Sequence, residues 1–158
     1  MVGHSIRLRI VSGGQTGVDR AALDAAMARG VSVGGWCPAG RWAESGPIPA
    51  RYPLRETRTA DPAERTRLNV RDSDGTLVLA PAGVGGGTAL TVALARELGR
   101  PVLVVPPRPD VVDDILAWLQ AREIRTLNVA GPRASEAPGV YASSLAVVGA
   151  VLDRVPAR

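Results

Sequence analysis

The chain has no lysine, no phenylalanine, one cysteine (Cys37) and one histidine (His4) in 158 residues. Each shortage removes a class of chemistry. Without lysine there is no Schiff-base enzyme and no Walker A loop, whose lysine reaches the phosphates. One cysteine excludes an internal disulfide, a CxxC redox pair, a structural zinc site and an iron–sulfur cluster. One histidine excludes multi-histidine metal sites, and a Ser-His-Asp triad would have to recruit His4 from the N-terminus. No metal site and no catalytic set is therefore expected. Aromatic residues make up only 3% of the chain, too few for a platform that stacks single-stranded nucleic acid; no nucleic-acid partner is expected. The opening MVGHSIRLRI lacks the apolar core of a signal peptide, and no run of 18 apolar residues occurs. These absences lead us to expect a cytoplasmic protein with a reduced thiol and no membrane association.

What is present is aliphatic and basic. Hydrophobic residues make up 46% and charged residues 22%, and all 19 basic residues are arginine, with a net charge of +4. Apolar β-branched runs alternate with helical patterns. Strands are expected at 6–11, 31–36, 75–80, 101–105 and 126–130. Helices are expected after Gly17, with Val18, Ala22, Ala25 and Ala26 on one stripe and Gly30 beyond its end; at 88–98; at 110–123, with Asp110 as N-cap; and at 140–155. The alternation implies an α/β fold: a single doubly wound, mostly parallel five-stranded sheet with helices on both faces, over residues 1–158. The favoured strand order is 2-1-3-4-5, with 3-2-1-4-5 second. The helices ALTVALA (89–95) and 140–155 are apolar nearly all round, which suggests a homo-oligomer.

Two glycine-rich loops follow strands one and three, so both fall at the carboxyl edge where open α/β sheets bind ligands. The first, SGGQTGVDR (12–20), puts Gly13, Gly14, Gln15, Thr16 and Gly17 at a helix N-terminus, where backbone N–H groups suit an anion. Thr16 and Asp19 also fit a capping box. As a dinucleotide fingerprint the loop is deficient, because Ser12 replaces the first glycine and no acidic residue follows at the ribose position. The second, PAGVGGGT (81–88), offers Gly85, Gly86, Gly87 and Thr88 to a phosphate. The segment 37–74 is too long for a plain connection and is expected to reach over the carboxyl edge. It carries Trp42 and Arg41, and a helix capped by Asp61 with Pro62 and Glu64 behind it, from which Arg65, Arg67 and Arg71 project. Trp36 and Trp42 suit either packing or stacking on a ring. The last loop, NVAGPRASE, adds Asn128, Arg133 and Glu136 at the same edge.

With SGGQTGVDRAALDAA, GGWCPAGRWAESGPIPARYPL, NVRDSDGTLVL, GGGTALTVALARELG and LNVAGPRASEAPGVY, nearly the whole chain resembles the molybdenum cofactor carrier proteins. The resemblance implies a Rossmann-like fold, a homo-oligomer (dimer or tetramer), the molybdenum cofactor (molybdopterin) as ligand, and molybdoenzymes as partners. The wider superfamily includes the Lonely Guy-type phosphoribohydrolases. Arg65 is similar to their arginine, and Gly87 and Thr88 to their Gly-Thr. Their glutamate falls at Thr91 and the lysine after their arginine at Thr66, and a hydroxyl cannot replace a carboxylate that activates water. The combined expectation is a non-catalytic carrier of a phosphorylated heterocycle. Its phosphate would lie on Gly85–Thr88, a second polar group on the Gly17 helix, and its charge beside Arg65 and Arg133. The alternatives are a nucleoside-monophosphate hydrolase using Asp19 or Glu136, and a nucleotide sensor.

Overall fold

A computed structural model of the chain describes residues 8–82, 85 and 87–155. His4, the first two residues of the expected first strand, and Gly86 lie outside them. In chain order the elements are β1 (Arg9–Val11), α1 (Val18–Ala28), β2 (Val33–Gly34), β3 (Trp36–Cys37), β4 (Trp42–Ala43), β5 (Gly46–Pro47), β6 (Arg55–Glu56), α2 (Pro62–Arg71), β7 (Gly75–Leu79), α3 (Gly87–Glu97), β8 (Val102–Val105), a 3-10 turn (Pro109–Val111), α4 (Val112–Ala121), β9 (Thr126–Ala130) and α5 (Val140–Arg154).

The main sheet is β2-β1-β9-β7-β8, and every pairing in it is parallel. The fold is Rossmann-like α/β. All five residues of β7 are buried, as a central strand covered on both faces requires. The strand order differs from both orders favoured on sequence grounds. The final strand, β9, does not take an edge; it inserts between β1 and β7. Started at β9, the path β9, β1, β2, β7, β8 has the Rossmann order 3-2-1-4-5. The architecture is therefore the second expectation with its first strand moved to the end of the chain. Apolar periodicity marks a strand but says nothing of its neighbours, so this permutation is invisible in the pattern.

The helices form two layers. α1 packs on α5 and α5 on α4, while α2 packs on α3. Right-handed crossovers running in opposite directions from the sheet centre put these layers on opposite faces. Val18, Ala22, Ala25 and Ala26 are buried on α1, and Gly30 turns left-handed (φ 68°) just past it. Asp61 caps α2 by accepting the Ala63 N–H at 2.9 Å. At Asp110 the expectation fails: Pro109–Val111 winds as a 3-10 turn, and the Asp110 carboxylate pairs with Arg108.

The expected second strand is cut at Gly35. Its φ is 125°, and a Cβ there would stand 2.3 Å from the Ser12 carbonyl oxygen. The chain therefore leaves the main sheet and starts a two-stranded parallel ribbon of β3 with β6. The antiparallel hairpin β4–β5 follows. Leu23, Cys37, Ala43, Ile48, Tyr52 and Leu54 form a second apolar core beneath this segment. Cys37 is buried there and desolvation pushes its thiol up, so it serves packing. Among the described residues no helix is long and apolar enough to cross a membrane.

Candidate functional site

A cleft of about 250 Å³ opens at the carboxyl ends of β1, β9 and β7. In the permuted sheet the switch point lies between β9 and β7, whose following helices diverge to opposite faces. Four segments build the walls. The first loop brings Gly13, Gln15 and Asp19. The 37–74 segment brings Trp42 and a stripe of α2 (Pro62, Arg65, Thr66, Asn69). The start of α3 brings Gly87, Thr88 and Thr91. The end of β9 and its loop bring Asn128, Gly131, Arg133 and Glu136.

The first loop is closed by the chain itself. The Asp19 carboxylate accepts the Gln15 N–H at 3.2 Å, the Gln15 side-chain oxygen accepts the Thr16 N–H at 2.9 Å, and the Pro132 carbonyl accepts the Val18 N–H at 3.3 Å. An internal carboxylate thus sits where a bound anion was expected. Thr16 is no cap either. The helix starts after Gly17 without a side-chain cap, and the Thr16 hydroxyl donates to Glu44. Gly14 and Gly17 serve close approach: their φ angles are 78° and 80°, and a Cβ at Gly17 would stand 2.5 Å from the Pro132 oxygen. Gly14, Thr16 and Gly17 do not line the cleft.

Gly13 makes room for a buried ion pair. A Cβ there would meet Arg65 Nη1 at 2.4 Å. Arg65 Nη1 donates to the Gly13 carbonyl at 3.3 Å and stands 3.7 Å from Asp19 Oδ2, while Nε donates to Thr66 Oγ1 at 3.2 Å. Burial pushes the Asp19 carboxyl up to about 6, against the pull of Arg65, the Gln15 N–H, Arg20 and the Gly13 N–H. In the unfolded chain the same group titrates near 4. Between these values the folded chain binds the extra proton, so the contribution of Asp19 to stability is most favourable below about pH 4. It declines as pH rises through 6, by about 3 kcal/mol. The gap in unfolding free energy between the wild type and Asp19→Asn should therefore shift by about that amount toward Asn from pH 4 to pH 7, read from urea melts. An unchanged gap would mean that Asp19 titrates as an ordinary carboxylate.

At the second loop the situation is reversed. The first turn of α3 faces the cleft with Gly87 and Thr88, and the buried Thr88 hydroxyl has no hydrogen-bond partner among the described residues. Among the described residues nothing stands within 4 Å of the Cβ positions of Gly85 or Gly87. The first N–H groups of a helix have no partner within it and carry its positive end. Gly85 precedes this turn but does not line the cleft. Thr91, where the phosphoribohydrolase glutamate would fall, is buried and donates its hydroxyl to the Gly87 carbonyl at 3.0 Å.

The rim is latched by Glu44, in the tight turn between β4 and β5. Its N–H donates to the Gln15 side-chain oxygen at 3.0 Å. Its carboxylate accepts from the Thr16 hydroxyl and from the Ser135 N–H and hydroxyl, and these bonds hold it below the usual carboxylate range. Arg133 Nε lies 3.7 Å from Glu44 and 3.6 Å from Glu136. Its charge is shared with two carboxylates, unlike that of Arg65. Asn128 is buried at the floor and donates to Thr76 Oγ1 at 3.2 Å.

Of the residues expected to bind, Gly13, Gln15, Arg65, Gly87, Thr88 and Arg133 meet in one cleft. Pro62, Thr66 and Asn69 were not anticipated. They belong with Arg65 to one face of α2, at the i, i+3, i+4, i+7 spacing that the sequence carries. Asn69 also clamps the Trp36 backbone, accepting its N–H at 2.8 Å and donating to its carbonyl at 2.9 Å.

The model of the Circularly permutated YpsA SLOG family matches residues 10–152. Among solved structures, one from Syntrophus aciditrophicus, named "putative molybdenum carrier protein", is 39% identical, with a TM-score of 0.88 over 94% of this chain and 98% of that one. No curated protein matches the chain.

Proposed function

We propose, from the premise that the chain belongs to the Circularly permutated YpsA SLOG family, that it binds and carries a phosphorylated planar heterocycle without transforming it. The proposed ligand is the molybdenum cofactor, a molybdopterin-type pterin. The observation that carries this reading is the first turn of α3, where the buried Thr88 hydroxyl, without a partner among the described residues, stands at the positive end of a helix in the cleft that Arg65 also lines. Those donors fit a phosphate: main-chain N–H groups of Gly87 and Thr88, the Thr88 hydroxyl and the Arg65 fork. Arg133 adds charge at the rim. The cleft volume lies just below the ~300–1,000 Å³ usual for small-molecule sites, which suits one ring system with its phosphate. A solved relative named as a molybdenum carrier supports this choice among such ligands. The reading asks for no protein ligand to the metal, because the dithiolene of the cofactor supplies one.

Assembly as a homo-oligomer and delivery to molybdoenzymes belong to the same proposal. The exposed Leu90 of α3 and Val104 of the edge strand β8 support the former. The experiment is expression in a host that makes molybdopterin, followed by release and mass spectrometry of whatever co-purifies. A phosphorylated pterin is expected. A chain free of any phosphorylated ring after gentle isolation would oppose the proposal.

A second reading has one observation in its favour: the buried Asp19 carboxyl at about 6, lining the cleft beside Arg65. A group poised there could handle a proton during cleavage at the ribose of a nucleoside monophosphate. Incubation with AMP and chromatography for free adenine decides it. Sustained turnover that Asp19→Asn abolishes would favour the hydrolase over the carrier.

A further inference from the structure

The chain contains three tryptophans and two tyrosines, and four of the five have an evident structural role. Trp36 lies beneath the Arg55 guanidinium, 4.2 Å from its ring centre, and donates its indole N–H to Asp72 at 2.9 Å. Trp118 packs against the main core. Tyr52 and Tyr141 both donate to Asp24. Trp42 is the exception: it is 47% exposed and lines the cleft. Among the described residues no side chain makes use of its exposed ring face, which is open to the cleft.

The backbone beneath Trp42 is held from both sides. On one side the Arg41 guanidinium donates to the carbonyls of Ile48, Pro49, Tyr52 and Leu54, with Arg41 itself at φ 53°. On the other, Glu44 is latched to Gln15, Thr16 and Ser135. Ala43 between them is 1% exposed in the second core. The strand alternation thus directs Ala43 inward and leaves Trp42 outward on a fixed support. A backbone held this way presents its side chain to the cleft without any rearrangement of the strand.

We propose that Trp42 is the stacking wall of the cleft, on which the planar ring of the ligand lies while its phosphate is held at the start of α3. The inference rests on the phosphate reading above and adds the ring subsite to it. Stacking accepts any flat π-face, so the wall selects for a heterocycle as a class. A sugar phosphate lacking the ring would gain nothing from it.

Calorimetric titration with AMP, adenosine and ribose 5-phosphate tests the proposal on the wild type, Trp42→Ala and Trp42→Phe. The wild type is expected to bind AMP more tightly than ribose 5-phosphate. Trp42→Ala should weaken AMP roughly 5- to 150-fold, the span of one base–aromatic stack, and leave ribose 5-phosphate within about twofold. Trp42→Phe should retain most of the AMP affinity. Equal binding of AMP and ribose 5-phosphate by the wild type would overturn the wall and spare the phosphate site. Adenosine binding that depends on Trp42, with no ribose 5-phosphate binding, would keep the wall and remove the phosphate site. A Trp42→Ala protein whose mass in light scattering falls while its AMP affinity holds would make Trp42 an interface residue and overturn the proposal, as would failure of both AMP and adenosine to bind.

Discussion

Arg65→Ala should lose roughly 10- to 150-fold in affinity for a phosphorylated ligand, the worth of one charge-assisted hydrogen bond in a partly desolvated site. Arg65 is the arginine most enclosed by the cleft, with a side chain 15% exposed. Among the described residues its Nη2 makes no hydrogen bond; Nη1 and Nε are spent on Gly13 and Thr66. The same substitution removes the largest influence that favours ionised Asp19. Asp19 should then titrate above its present value of about 6, and the stability deficit of the variant should be larger at pH 8 than at pH 5. Paired titrations by calorimetry and carboxyl NMR give both readouts. Unchanged affinity with a raised Asp19 value would confine Arg65 to a structural role. Arg133→Ala should be milder, because Glu44 and Glu136 already share that charge.

Gly17→Ala should destabilise the fold by at least about 3 kcal/mol and lower Tm by roughly 6–12 °C. Two costs combine. A non-glycine residue in a sparsely populated positive-φ conformation costs about 1–3 kcal/mol, and Gly17 lies at φ 80°, ψ −128°. The added Cβ would also stand 2.5 Å from the Pro132 oxygen and 2.8 Å from the Ala134 nitrogen, both backbone atoms that cannot swing away. The loop after β9 would have to move off the first loop, and the Thr16–Ala134 hydrogen bond would break with it. Gly30→Ala is the matched control. Its φ is 68° but no atom lies within 4 Å of the new Cβ, so it should lose only the conformational cost, about 1 kcal/mol. Equal losses at the two sites would show that the contact between the loops contributes nothing.

The elements of the fold could be read from apolar periodicity and cap chemistry, down to Asp61 and Pro62 at the start of α2. The order of the strands could not. β9 carries the same aliphatic signature as an edge strand would, and its place between β1 and β7 is set by tertiary packing. The site was half legible. Glycines before a helix locate main-chain N–H groups but do not say who uses them. In SGGQTGVD the user is Asp19, four residues beyond Gln15; at α3 no such carboxylate lies nearby in the sequence. Glu44 is a long-range partner of Thr16 and Ser135, so its latch leaves no local trace. Trp42 suits packing and stacking equally in the sequence, because the partners that hold its strand, Ala43 in the second core and Glu44 at Thr16 and Ser135, are brought to it only by the fold.

The most direct test of the account is an amide chemical-shift titration of the isotope-labelled protein with AMP. Binding at the start of α3 should concentrate the largest shifts at Gly87 and Thr88 and at the Arg65 Nε–H, with the Gly13–Gly17 amides moving little. Shifts centred on Gly13–Gly17 would mean that the ligand displaces Asp19 from the first loop, and shifts outside the cleft would place the binding site elsewhere on the molecule.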